Sequence, residues 1–148
     1  MIIDKLTEFA DAVALNLGGA DNYVFGSAVD AGVARDMGNG KPLYLVLTVD
    51  AAFTSGGAAT TEIRLVSDAQ DPVDPDSSTV HLSTGPIGYA QFTAGRKFVY
   101  PLPVEGLPYE RYLGLVQTQA GAALTAGKLN AFLTQDPIGW KAYPEGQN

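Results

Sequence analysis

His81 is the single histidine of the chain, and acid–base or nucleophilic chemistry would have to start there. A working imidazole needs a nucleophile on one side and an orienting carboxylate on the other. Ser78, Ser83 and Asp76 stand close by in the sequence, but closeness along the chain is not convergence in space. No G-x-S-x-G elbow presents a serine at the tip of a strand–helix turn. With Val80 before it and Leu82 after it, His81 is expected on a strand, pointing away from both as a packed or surface histidine. Asp68, Asp71, Asp74 and Asp76 are the second candidate set, because clustered carboxylates can bind calcium. Their segment lacks the central Gly and closing Glu of an EF-hand loop. Its prolines, Pro72 and Pro75, suit a stiff solvated loop instead.

Other chemistry finds less purchase. Any two of the sixteen acidic residues could in principle pair for glycoside cleavage, but nothing selects a pair. Gly18-Gly19 and Gly56-Gly57 do not continue into the Gly-Lys-Ser/Thr end of a phosphate-binding loop. Tyr44, Tyr89, Tyr100, Tyr109, Tyr112 and Trp140 could stack on a sugar or a base. Rings of this kind more often anchor a core or a protein interface, since they bury much area at modest entropic cost. No catalytic residue, metal ligand or cofactor is therefore assigned.

Composition narrows the classes further. The 148 residues suit one domain, large enough for its own core without a metal or disulfide. There are no cysteines, which removes thiolate nucleophiles, disulfides and Cys-ligated zinc together. Charged residues make up 17% and the formal net charge is −7. The basic residues are scattered, with only Arg96 and Lys97 adjacent, so no basic patch for phosphate is expected and no direct nucleic-acid partner. No long uninterrupted apolar run predicts a membrane span. Asp4, Glu8 and Asp11 interrupt the opening segment where a signal peptide would be apolar.

The elements that would position these residues are mainly strands. Ile2, Leu6, Phe9, Ala10 and Val13 recur at helix-like spacing; residues 1–20 are expected as a short helix or an extended N-terminal arm. Leu43 to Val49 reads as a central strand covered on both faces. Thr60 to Val66 alternates, with Thr61, Ile63 and Leu65 on one side and Thr60, Glu62 and Arg64 on the other, as in a half-solvated strand. Further short strands are expected at 22–25, 79–82, 89–92 and 97–103, with a turn-rich connection over 32–41. Tyr109 to Gln135 reads as a hairpin, two apolar strands reversing through Gly121 and Thr125-Ala126-Gly127. About eight antiparallel strands spaced by turn signals predict an all-β sandwich or jelly roll over residues 21–136. Residues 137–148 read as an irregular tail.

The opening Met1-Ile2-Ile3-Asp4-Lys5-Leu6-Thr7-Glu8-Phe9-Ala10-Asp11-Ala12 resembles the start of the capsid cement (decoration) proteins of short-tailed bacteriophages. So does Arg111-Tyr112-Leu113-Gly114-Leu115 followed by Leu124 to Leu133. The likeness runs in order through most of the chain, and its motifs are structural ones. It implies a jelly-roll protein on the outer surface of an icosahedral phage head, clamping neighbouring major capsid protein subunits as a homodimer. The location it implies is the virion, after synthesis in the host cytoplasm. It carries no catalytic motif. Phe9, Tyr109, Tyr112 and Trp140 are then the expected interface aromatics, and residues 1–20 an arm that widens the footprint. A carbohydrate- or receptor-binding sandwich is the rival expectation, requiring aromatics exposed on one platform. A cupin-like enzyme would need several histidines and is disfavoured by the single one.

Overall fold

The uninterrupted apolar run from Leu45 to Val49 lies at the centre of the molecule. In the computed structural model, which describes residues 5–33, 42–103 and 107–137, it forms part of β3 (Tyr44–Ser55). Leu45, Leu47 and Val49 point into the main core, and Val46 on the opposite face is also 0% exposed. There Val46 stands in register with Phe132, itself buried. Double-sided burial of a central strand is what a continuous apolar run encodes.

Among the described residues there are nine strands and no α-helix. Around β3 they run β1 (Glu8–Ala14), β2 (Asp21–Asp30), β4 (Ala59–Asp68), β5 (Thr79–Ser83), β6 (Ile87–Gly88), β7 (Lys97–Pro101), β8 (Tyr112–Gly121) and β9 (Leu124–Thr134). They make two antiparallel sheets. One has the order β1-β9-β3-β7; the other has the order β2-β8-β4-β5, with β6 also pairing with β4. The protein is an all-β sandwich. Leu113 and Leu115 of β8, Ile63 and Leu65 of β4, and Leu124, Leu129 and Leu133 of β9 meet between the sheets. β4 keeps the alternation read from its sequence: Thr61, Ile63 and Leu65 face inward, while Thr60, Glu62 and Arg64 are half-buried.

Two expectations are corrected. The segment from Tyr109 to Gln135 does contain two strands, but they are not a hairpin: β8 and β9 belong to opposite sheets. Gly121, at φ +71°, makes the crossing; a Cβ there would lie 2.1 Å from the carbonyl oxygen of Ala58. Such a φ suits glycine, which has no side chain to clash. The apolar faces of the two strands therefore meet across the core instead of lying side by side.

Residues 1–20, where described, hold one 3-10 turn at Lys5–Thr7 and then join the sheet instead of continuing as a helix. Residues 8–14 form β1, paired with β9 through Glu8↔Phe132, Ala10↔Ala131 and Val13↔Leu129. The register slips twice, between Glu8 and Ala10 and between Ala10 and Val13. Bulges of this kind break strict alternation, so the neighbours Phe9 and Ala10 are both buried. That irregular spacing is what mimicked a helical stripe. Ala12 takes φ 49°, with its N–H donating to Asn130 Oδ1.

The two ends of the sandwich are closed by different means. At the end where β1 passes to β2, the buried amides Gln117 and Gln119 and the buried hydroxyl of Thr61 form a network. Gln117 Oε1 accepts the N–H of Asn16 at 2.9 Å and its Nε2 donates to the Asn16 carbonyl at 3.1 Å. Thr61 Oγ1 donates to Gln119 Oε1, and Gln119 Nε2 donates to the Ala122 carbonyl. Satisfied in this way, buried amides do not carry the desolvation penalty of lone polar groups.

Candidate functional site

The opposite end holds His81. Its Nε2 lies 2.7 Å from Ser67 Oγ at the end of β4. None of the three groups weighed from sequence is this partner. Ser78 donates to Asp68 and to the Asp74 carbonyl, Ser83 donates to Glu62, and Asp76 accepts from Asn22. The β4–β5 pairing, Ser67 opposite Thr79 and Leu65 opposite Leu82, brings Ser67 to His81 across the intervening loop. The signal was present only as two strands flanking an Asp/Pro-rich connection.

A serine 2.7 Å from an imidazole invites a nucleophile–base reading, but its surroundings oppose one. Ser67 is 0% exposed, so no carbonyl carbon can approach its oxygen. The same Oγ accepts the N–H of Glu110 at 3.0 Å. The His81 ring stacks on Tyr109, with centroids 3.9 Å apart and planes inclined by 15°. Tyr109 in turn donates its hydroxyl to the Pro103 carbonyl, and Thr79 donates to Glu110 Oε1. Burial pushes the Tyr109 phenol up to about 12. Burial also lowers the pKa of His81, against the opposing pull of the Glu110 charge. A neutral imidazole in this position ties the segment before β8 onto the β4–β5 pair. The cluster is a clasp built from groups that catalysis also uses.

Most of the loop carboxylates are engaged in holding their own backbone. Asp68 accepts from the N–H groups of Asp74 and Gln70 and from Ser78 Oγ. Asp74 accepts from the N–H groups of Asp76 and Ser77. The N–H of Asp74 in the first case and of Asp76 in the second hold these carboxyls below their usual range. Asp76 receives Asn22 Nδ2 at 2.9 Å, anchoring the loop to β2. Val73 sits over Gly114 and packs with Val66, Val116 and Tyr112 on the outer face of that sheet. Among the described residues, no three of His, Cys, Asp or Glu converge as a metal site. No helix among them is long and apolar enough to cross a membrane.

The aromatic interface candidates separate. Phe9 is 2% exposed and Tyr109 6%; both are core residues within the single chain and offer little surface to a partner. β1 bulges turn Phe9 inward, and the His81 stack covers Tyr109. Tyr112 is half-buried, with the Arg111 guanidinium 4.9 Å from its ring centroid. Arg111 also holds Asp30 through two hydrogen bonds of 2.9 and 3.0 Å, which keep the Asp30 carboxyl down at about 2. Trp140 and the tail beyond residue 137 lie outside the described residues, as does most of the 32–41 connection. Among the described residues every aromatic side chain is buried or half-buried, so no exposed ring platform for a sugar is formed by them.

No curated protein matches the chain. A family model does, over residues 13–133, from within β1 to one residue short of the end of β9. That span takes in both sheets and both ends just described, and the chain accordingly belongs to the Bbp16 family.

Proposed function

We propose that this protein is a capsid cement protein: a homodimer on the outer surface of an icosahedral phage head that holds neighbouring major capsid subunits together and catalyses nothing. The observation that carries this reading is the use made of its reactive groups. The buried Ser67 and the half-buried His81 bond to each other and Ser67 to the Glu110 N–H, and Asp68, Asp74 and Asp76 are bonded within the sandwich. What remains is a stiff two-layer body, suited to transmitting load between surfaces.

Two further points support it. The order β1-β9-β3-β7 facing β2-β8-β4-β5 is compatible with a double-sheet jelly roll, which supports the reading. The sequence blocks that resemble cement proteins, 111–115 and 124–133, fall on the two strands at the heart of those sheets. A bridging module gains from multivalency, since the first contact raises the effective concentration for the second. The lack of an exposed aromatic platform among the described residues removes the main support for a sugar-binding alternative.

The test is sedimentation. Purified protein mixed with undecorated heads should pellet with them at a saturable stoichiometry, and decorated heads should withstand heating or chelation longer than bare ones. Protein left entirely in the supernatant, with heads equally fragile in both samples, would remove the proposal.

A further inference from the structure

The outer face of the sheet β1-β9-β3-β7 changes character along its strands. Leu45, Leu47 and Val49 point into the core, so Tyr44, Val46 and Thr48 point outward. The register sets Tyr44 beside Thr134 and Pro101, Val46 beside Phe132 and Val99, and Thr48 beside Asn130 and Lys97. Glu8, on the far side of Phe132, ends the second row. The two rows nearest the end of β9 are thus mainly apolar, and the third is polar. An outer face turned to water carries polar residues, so this patch calls for a cover.

The exposures carry the same message. Val46 is 0% exposed and Phe132 3%, whereas Val99 in the same row is 39% exposed. Neither buried residue joins the apolar clusters formed by the described residues. Outside the sheet, the element that touches β3 most is the 3-10 turn Tyr89–Gln91. It leads into Phe92, which stacks on Phe53 near the other end of the strand. No described element supplies a layer over Val46 and Phe132.

The end of β9 selects what does. Thr134 lies in the first row of the patch, and the Asp136 N–H donates to Thr134 Oγ1 at 3.2 Å. Such a turn breaks the line of the strand, and Pro137 has no N–H with which to continue the pairing. From residue 136 to residue 140 the chain can reach about 13 Å, while Phe132 lies only about 7 Å back along the strand from Thr134. Ile138, Trp140 and Tyr143 are the large apolar residues of this segment. One tryptophan ring buries roughly 150–250 Å², enough to cap two neighbouring side chains. The opposite terminus fits less well: the turn Lys5–Thr7 also touches β2 of the other sheet, and its Leu6 is 78% exposed.

We propose that the segment following β9 folds back over this patch, seating the Trp140 indole on Val46 and Phe132 with Val99 at its border. Trp140 then seals its own sheet instead of a partner's surface. The inference does not depend on the cement function.

Trp140 is the single tryptophan of the chain, so the fluorescence of the full-length protein reports on it directly. Its emission should lie to the blue of N-acetyltryptophanamide, with a severalfold lower acrylamide quenching constant, at every protein concentration. Val99→Lys, at the exposed rim, should move the emission to the red and raise quenching. Val24→Lys, on the outer face of the other sheet, should change neither. In amide NMR of the full chain, Trp140→Ala should shift Val46, Val99 and Phe132 and leave Leu113 and Leu115 in place. Quenching equal to that of the free amide, or the same response to both lysine variants, would overturn the proposal. So would a blue shift that appears only as concentration rises, which would seat the ring on a second copy, or unmoved Val46 and Phe132 resonances in Trp140→Ala. No particle enters these measurements, so failure to bind heads would sink the cement function alone.

Discussion

The two ends of the sandwich solve one problem with different chemistry. Where β1 turns into β2, the opening between the sheets is sealed by neutral amides, with Gln117 reading both backbone groups of Asn16. At the other end the seal is an imidazole, a phenol, the Glu110 carboxylate and, beside them, the Arg111–Asp30 ion pair. The first set has no group that changes charge in ordinary buffers. The second contains one that does, His81, whose pKa burial lowers from the usual 6.5. Acid should therefore loosen one end before the other, although both belong to the same core.

The largest effect is expected at the amide end. Gln117→Leu removes two hydrogen bonds to the backbone of the exposed Asn16, each worth about 0.5–1.5 kcal/mol. A loss of about 1–3 kcal/mol by urea denaturation, equal at neutral and mildly acidic pH, is the expected result. A pH-dependent loss would break the contrast between the ends. Tyr109→Phe keeps the stack on His81 and removes the hydrogen bond to Pro103, for a smaller cost of about 1 kcal/mol. Hydrogen exchange should quicken at Glu110 and leave Asn16 unchanged.

His81 sharpens the comparison through sign. Its folded pKa lies below the usual 6.5 because burial disfavours the charged ring. As pH falls, the unfolded chain takes up the proton first. The stability contributed by neutral His81 is therefore present above 6.5 and lost as pH drops through the lowered folded value. His81→Phe should flatten the slope of melting temperature against pH in that window, whereas an unaltered slope would place the titration elsewhere. The smallest effect belongs to the exposed Asp30–Arg111 pair. Its contribution is present above 3.8 and lost as pH falls towards about 2, and Asp30→Asn should remove only that acidic shoulder.

Much of the architecture was readable because burial leaves a periodic mark. The apolar run of β3 and the alternation of β4 announced one strand covered on both faces and one half-solvated strand. Two features escaped for physical reasons. An apolar strand looks the same whether its successor lies beside it or across the core, so β8 and β9 read as a hairpin until Gly121 was seen to carry the chain between sheets. The bulges of β1 replaced a period of two by an irregular spacing, which resembled a helix. At the site level, His81 was correctly placed on a strand, but Ser67 was hidden because strand register is not written locally. Phe9 and Tyr109 are core residues for a related reason: a ring that could anchor an interface serves a core equally well.

The strand order also constrains how the molecule comes into being. β9 lies between β1 and β3, and β8 lies between β2 and β4, so an inner strand of each layer is supplied by the two strands that come last among the described residues. Until residue 134 has been synthesised, β1 lacks its only sheet partner and β3 has β7 alone. Assembly must wait for β9 and then close long loops at once, the slow regime for β topologies. Nascent chains of this protein should accordingly lean on chaperones, and even a modest truncation reaching into β9 should dismantle a layer entirely.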